Sequence, residues 1–127
     1  SAAHRLCQPG LSDSENIKLY GQCANPNWHG HNYVLWITVK GKIDKKSGYV
    51  SDLKKISTVI RERVVDQLDH KNMNLEVGFM KDIIASTENL AVAIWNELEE
   101  DIGKLGVKLH CVKVEETENN SVKYYGE

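Results

Sequence analysis

The sequence has few cysteines, no basic surplus and no long apolar run, and each shortage argues against a class of protein. Its three cysteines are an odd number without a CxxC pair, which argues against a disulfide framework and for a reducing, cytoplasmic location. Lysine and arginine number 16 against 18 acidic residues, a net charge of -2, whereas nucleic-acid and anionic-membrane binders usually carry excess positive charge. No apolar run approaches the ~20 residues of a membrane span, and the sequence contains no charged segment followed by an apolar one, the pattern of a secretory signal.

The sequence has the composition of a globular domain. Its 127 residues are 41% hydrophobic and 27% charged, and a chain of this length is expected to form one domain, residues 1–127, around a single core. The chain opens on Ser1 without a start signal for a helix or strand. We therefore expect the beginning of the first strand to be absent from the sequence.

Strands are predicted near both ends of the chain. The segment from Tyr33 to Ile43 is rich in β-branched and aromatic residues and is apolar on both faces, as is typical of a strand covered on both sides. Residues 1–6 are expected to form the strand before it. Val107 to Glu116 and Ser121 to Tyr125 flank a polar turn and predict a hairpin.

Two helices are predicted between these strands. The first runs from about Asp52 to Gln67, where apolar residues recur at helical spacing: Leu53, Ile56, Val59, Ile60, Val64 and Leu68. Ser86 and Thr87 can cap the second, which ends at Gly103 and has the apolar stripe Leu90, Ala91, Ile94, Trp95, Leu98 and Ile102. Residues 8–28 and 69–85 lack periodicity, which predicts irregular connections.

The resulting order ββααββ predicts an α+β fold, a four-stranded antiparallel sheet with two helices on one face. Helices on one face leave the other uncovered, yet the second strand is apolar on both faces. We therefore predict that the uncovered face meets another subunit.

Histidines form the first candidate site. His29 and His31 are two residues apart on a predicted strand, so their side chains share a face, and His4 joins them if the first two strands pair antiparallel. Three neutral imidazoles with an open fourth position are typical of catalytic zinc. The alternative is that the HxH pattern arises by chance, with one solvated histidine.

Cys23, Asp69 and His70 are candidates for proton transfer. A Cys23 thiol near a bound metal and a cationic imidazole could act as a general base, although most free cysteines are small buried hydrophobes. A carboxylate such as Asp69 can fix the tautomer of a histidine, but adjacent side chains rarely face each other. For His70 the alternative is a charge that interacts with the C-terminal dipole of the preceding helix.

Glu116 is the candidate for ligand recognition. By strand parity it shares a face with Val112 and Val114, and a carboxylate on an apolar face needs a partner, such as a ligand with paired N–H donors. The alternative is that the strand has ended by Glu115 and both carboxylates are solvated.

Five segments together resemble the 6-pyruvoyltetrahydropterin synthase family. They are SAAHRL at 1–6, YGQCANPNWHGHNY at 20–33, LDHKN at 68–72, ASTENLAVAIWNEL at 85–98 and VEETENNSVKYYGE at 114–127, in family order over nearly the whole chain. The resemblance implies the tunnelling fold, in which three four-stranded sheets join in a trimeric barrel and two trimers stack into a homohexamer. Two departures stand out: Trp28 occupies a position where the family carries a small glycine, and the segment 48–53 is shorter than the animal-type pattern.

The resemblance also implies an activity and its residues. The family converts 7,8-dihydroneopterin triphosphate to 6-pyruvoyltetrahydropterin with elimination of triphosphate, a carbon–oxygen lyase reaction of tetrahydrobiopterin biosynthesis. By resemblance His4, His29 and His31 hold zinc, and Cys23 is the general base. Catalysis would be completed by Asp69, His70 and Glu116, the first two from a neighbouring subunit. Glu116 would also bind the pterin, with Ser86, Thr87 and Glu88.

Three other functions stay open at the level of sequence, the last two of them without catalysis. The first is 6-carboxytetrahydropterin synthase of queuosine biosynthesis, a bacterial relative with the same zinc ligands, whose cysteine lies closer to HGH than Cys23 does. The second is a pterin- or metal-binding module without turnover, and the third is a structural interaction domain with incidental histidines.

Overall fold

The computed structural model describes residues 1–127 and contains six strands and four α-helices. The strands are β1 (Ala2–His4), β2 (His29–His31), β3 (Val34–Lys40), β4 (Lys71–Asn72), β5 (Lys108–Thr117) and β6 (Asn120–Tyr124). The helices are α1 (Asp13–Tyr20), α2 (Leu53–Ile60), α3 (Asp66–Leu68) and α4 (Thr87–Gly103), with 3₁₀ turns at Gly21–Ala24 and Gly78–Met80. None of the helices is both long and apolar enough to span a membrane.

The strands form two three-stranded sheets rather than one four-stranded sheet. Their orders are β2-β1-β4 and β3-β5-β6. The predicted second strand is divided because its two halves have different partners: β2 pairs with β1, whereas β3 pairs with β5. The pairing of β1 with β4 is parallel, which the purely antiparallel prediction missed. The α+β class is confirmed, and the four-stranded sheet is not observed within one chain.

The two predicted helices lie on one side of the larger sheet. Helix α4 packs on β5 and β6, and α2 packs on α4. Ser86 caps α4 by accepting a hydrogen bond from the Asn89 backbone, as the sequence predicted, and the predicted apolar stripe of α4 is buried. The first predicted helix is also present, with a π-helical turn at Arg61–Val65 between α2 and α3. The prediction that Leu53 belongs to the buried face of this helix is wrong, because its side chain is 76% exposed.

Helix α1 lies inside the stretch predicted to be irregular. Ser12 caps it through a reciprocal capping box with Glu15, and Asn16 is its only buried residue. Apolar periodicity is therefore weak here, because α1 contributes almost nothing to the core. The spacing Ser-x-x-Glu was the available signal.

The outer face of β3 is exposed although it is apolar. Leu35, Ile37 and Val39 pack against the core, whereas Val34 is 45% exposed and Trp36 is 55% exposed. Within one chain, then, the strand is covered on one face only.

Candidate active site

Three histidines meet at the end of the small sheet. His4 is the Cα partner of His29 in the antiparallel β1–β2 pair, and His31 pairs with Ala2. The three rings lie on one face with centroids 4.5, 5.2 and 5.0 Å apart, and His4 is buried at 1% exposure. The convergence predicted from strand parity is confirmed.

Gly30 lets the two strands approach each other between the histidines. A Cβ atom at this position would lie 3.2 Å from the Ala2 carbonyl oxygen, which is tighter than ordinary packing allows. A side chain here would push β2 away from β1, and with it His29 and His31 away from His4.

The histidine nitrogens are suited to hold a metal ion. One ligand atom from each of His4, His29, His31 and Glu116 lies within 4.8 Å of every other. His4 Nε2, His29 Nδ1 and His31 Nε2 are buried and make no hydrogen bond, although buried polar atoms normally have a partner. Three buried nitrogen atoms without partners and a carboxylate match the donors that transition metals accept.

Glu116 joins the histidines from the edge of the larger sheet. Its Oε1 atom lies 2.8 Å from His31 Nε2 and 3.8 Å from His4 Nε2. The two atoms of the first pair are close, but their geometry does not meet that of a hydrogen bond. His31 Nε2 therefore has no hydrogen-bond partner. Strand β5 continues to Thr117, so the alternative that it ends before Glu116 is wrong.

Burial favours the neutral form of His4 and His29. Desolvation lowers the pKa of His4, and the neighbouring His29 lowers it further, against the opposing effects of the Ala85 carbonyl and Glu116. The pKa of His29 is also lowered, first by burial and then by His31. Neutral imidazoles offer the lone pairs that a metal needs.

Tyr33 is a site residue that the sequence analysis assigned only to the strand. Its hydroxyl lies 3.3 Å from His4 Nδ1, and its ring meets those of His4 and His31 edge to face. Burial raises the pKa of Tyr33 strongly, and the charges of Glu116 and Cys23 add to this effect. The available signal was parity, since Tyr33 continues the face of His29 and His31.

Cys23 lies next to this cluster on the 3₁₀ turn Gly21–Ala24 and is a half-buried free thiol. Its carbonyl oxygen accepts a hydrogen bond from Leu6 N at 2.8 Å. Arg5 binds Ala24, the residue after Cys23, by donating from Nε to its carbonyl oxygen at 3.0 Å. Arg5 Nη2 donates to Asp13. The loop that carries Cys23 is therefore tied to the residues that follow His4.

Asp69 and His70 lie directly before β4, and His70 lines a polar surface pocket together with His31. Asp69 Oδ1 is 3.1 Å from His70 Nδ1, so the expectation that these adjacent side chains do not face each other is wrong. The contact arises because His70 has a left-handed backbone with φ 60°. The His70 side chain is 83% exposed.

The start of α4 reaches the site through Thr87. Thr87 Oγ1 donates to Glu116 Oε2 at 2.5 Å, while Ser86 is the cap and Glu88 is exposed. Asn120, which the sequence analysis missed, donates from Nδ2 to the same oxygen at 3.0 Å. Its position in the hairpin turn gave no signal of a role in the site.

Comparisons with known proteins agree along the whole chain. A family model described as 6-pyruvoyl tetrahydropterin synthase matches residues 1–127. The chain is 47% identical to human 6-pyruvoyl tetrahydrobiopterin synthase, over 100% of this chain and 86% of the relative. It is 42% identical to the enzyme of the same name from Dictyostelium discoideum, over 100% of this chain and 90% of that relative. The solved structure of 6-pyruvoyl tetrahydropterin synthase from Caenorhabditis elegans superposes with a TM-score of 0.91 at 38% identity, over 99% of this chain and 89% of that one.

Proposed function

Because the chain belongs to the 6-pyruvoyl tetrahydropterin synthase family, we propose that it catalyses the reaction for which that family is named. It would act as a carbon–oxygen lyase that converts 7,8-dihydroneopterin triphosphate to 6-pyruvoyltetrahydropterin and releases triphosphate, in tetrahydrobiopterin biosynthesis. The observation that carries the proposal is the meeting of His4, His29 and His31, each with a buried nitrogen free of hydrogen bonds, beside Glu116.

We assign zinc to the three histidines. Neutral imidazoles on two short paired strands, with Glu116 to one side, suit an ion that keeps a position open for substrate. When bound, zinc supplies Lewis-acid chemistry by polarising oxygen atoms of the substrate. The fold serves that role by presenting ring nitrogens that no protein donor occupies.

Glu116 would bind the pterin ring. A carboxylate accepts charge-assisted hydrogen bonds from N–H donors, and the pterin ring presents an amino group next to a ring N–H. The contact between Thr87 and Glu116 supports a shared subsite with Ser86 and Glu88, whose position at the start of α4 brings them to the same edge.

Cys23 would move protons at its sulfur atom, abstracting one from a substrate carbon and returning one to the neighbouring carbon. The half-buried position of Cys23 and its effect on the pKa of Tyr33 support this assignment. Asp69 and His70 would exchange protons with Cys23 of a neighbouring subunit, as the resemblance to the family implies. Their mutual contact and the exposed position of the His70 side chain support this assignment.

The working unit would be a homohexamer, a dimer of trimers with the tunnelling fold. The apolar outer face of β3, with Val34 and Trp36 exposed, and the exposed pair Asp69–His70 both support contacts with further subunits. The three free cysteines are consistent with a cytoplasmic location. The partner is a small pterin triphosphate, and neither nucleic acid nor a membrane is expected as a partner.

The direct test is an assay of the purified protein with 7,8-dihydroneopterin triphosphate. We expect triphosphate release and 6-pyruvoyltetrahydropterin. Release of acetaldehyde with a carboxypterin product would instead identify 6-carboxytetrahydropterin synthase. Zinc and pterin binding without turnover would identify a binding module, and absence of both would leave a structural domain.

A further inference from the structure

The two oxygen atoms of Glu116 have different surroundings. Oε2 accepts hydrogen bonds from Thr87 Oγ1 at 2.5 Å and from Asn120 Nδ2 at 3.0 Å. Oε1 faces the histidines. A carboxylate oxygen only accepts, so the Asn120 amide must present its NH₂ group to Oε2. Two protein donors therefore hold Oε2, whereas Oε1 lies beside the imidazoles of His31 and His4.

An irregularity in the hairpin places Asn120 beside Glu116. In the β5–β6 pair Glu115 is opposite Ser121 and Thr117 is opposite Asn120, with a register shift between them. Glu116 is therefore the extra residue of the bulge and has no partner across the ladder. Bulges change the direction in which side chains point, and at this bulge the Glu116 carboxylate faces the histidines. Asn120, on the opposite strand, donates a hydrogen bond to it.

We propose that Asn120 is a positioning residue for pterin recognition: its amide fixes the Glu116 carboxylate through Oε2, so that Oε1 is presented to the ring N–H donors. This inference rests on the proposed function, in which Glu116 takes the pterin. Asn120 is itself exposed, and its side chain forms its hydrogen bond with Glu116. Its effect therefore passes through Glu116 alone.

The hydrogen bond from Asn120 has a specific purpose in this geometry. A glutamate side chain has three rotatable bonds, and ordering it on binding costs conformational entropy. Without Asn120, Thr87 would be the one hydrogen-bond donor to the carboxylate, and it holds Oε2 from the helix side only. A second donor from the hairpin defines the plane of the carboxylate before the ligand arrives, and preorganisation of this kind favours binding.

The test compares two neighbouring asparagines in the same turn. Asn120→Ala removes the amide, and Asn120→Asp replaces the donor with a like charge at nearly the same size. Asn119 is exposed, and its side chain makes no hydrogen bond, so Asn119→Ala and Asn119→Asp make the same changes of size and charge without touching Glu116. Each protein is measured for KM and kcat, for binding of the unreactive ligand neopterin by fluorescence, and for metal content.

We expect Asn120→Ala to raise KM and the neopterin Kd on the order of 10-fold, the scale of one hydrogen bond to a charged group. Asn120→Asp should raise both further, with kcat and metal content close to wild type. Both Asn119 variants should match wild type. Wild-type affinity in the Asn120 variants, or equal losses in the Asn119 variants, would overturn the inference while leaving the proposed function intact. A wild-type protein that binds no pterin would overturn both.

Discussion

His4 Nδ1 lies 2.7 Å from the carbonyl oxygen of Ala85, 81 residues further along the chain. A carbonyl only accepts hydrogen bonds, so Nδ1 carries the proton and Nε2 keeps its lone pair toward His29, His31 and Glu116. Ala85 is followed immediately by Ser86 and Thr87, the cap and first residue of α4. One hydrogen bond therefore sets the tautomer of a metal ligand and also ties the proposed metal and pterin subsites together.

The proposed metal ligands His29 and His31 are expected to serve the metal site rather than the fold. His29→Ala and His31→Ala should each lower zinc content at least tenfold while leaving a folded oligomer, because both side chains are only partly buried and catalytic zinc need not hold the core. Metal analysis with circular dichroism measures both properties. His110→Ala, at an exposed histidine outside the site, is the matched control. Unfolding of the His29 or His31 variant would indicate a structural metal instead.

Proton transfer should depend on Cys23 and on His70. Cys23→Ala and His70→Ala should each reduce kcat by ~100-fold or more, the scale for a positioned acid–base group, while zinc and neopterin binding are kept. Steady-state kinetics and the binding measurements check this. Cys7→Ala, at another free cysteine, is the control, and an unchanged rate in Cys23→Ala would remove this thiol from the mechanism.

Mixing these two inactive variants tests whether the site is shared between subunits. Oligomers reassembled from Cys23→Ala and His70→Ala chains should regain activity, because some sites then combine an intact Cys23 from one chain with an intact His70 from the other. The rate is measured after co-refolding. Cys23→Ala mixed with the double variant has no intact Cys23 and should stay inactive, and an inactive first mixture would show that both residues serve the site of their own chain.

Acid should destabilise the metal-free protein through His4 and His29. Burial lowers the pKa of both below the unfolded value of 6.5. Above 6.5 the two states bind the same protons at these positions, whereas below 6.5 the unfolded chain takes up protons that the folded chain refuses. The free energy of unfolding should therefore fall as the pH drops from 6.5.

Urea unfolding with a chelator at about pH 7.5 and about pH 5.5 measures this loss. His29→Asn, at a partly buried position, should show a smaller loss than wild type, because one of the two responsible groups is gone. His110→Asn should keep the wild-type loss. Identical losses in all three proteins would assign the acid sensitivity to other groups.

Trp28 has a left-handed backbone with φ 67°, directly before the HGH segment and at the position where the family resemblance led us to expect glycine. This conformation costs a bulky residue about 1–2 kcal/mol, whereas glycine loses about 0.5–1 kcal/mol through its freer unfolded chain. Trp28→Gly should thus raise the free energy of unfolding, measured with urea, by up to about 1 kcal/mol. A loss larger than about 1 kcal/mol would show that packing of the half-buried indole outweighs the backbone strain.

Much of the site could be predicted because its signals are local. Strand parity placed His29 and His31 on one face, and the Ser86 cap and the apolar stripe of α4 follow from spacing within one helix. Helix α1 was not predicted, because it buries a single polar residue, Asn16, and so has no apolar periodicity to detect. The division of the second strand also escaped, because it depends on which partner each half finds.

The sequence by itself determined which side chains share an element and a face, since periods of 2 and 3.6 residues are properties of the local backbone. Only the tertiary structure decided which elements meet. The β1–β2 register brings His4 to His29, the Ala85 carbonyl sets the His4 tautomer, and a bulge turns Glu116 toward the histidines with Asn120 behind it. These contacts join residues far apart in the chain or on opposite strands, where burial and strand pairing select the partner and no local pattern records it.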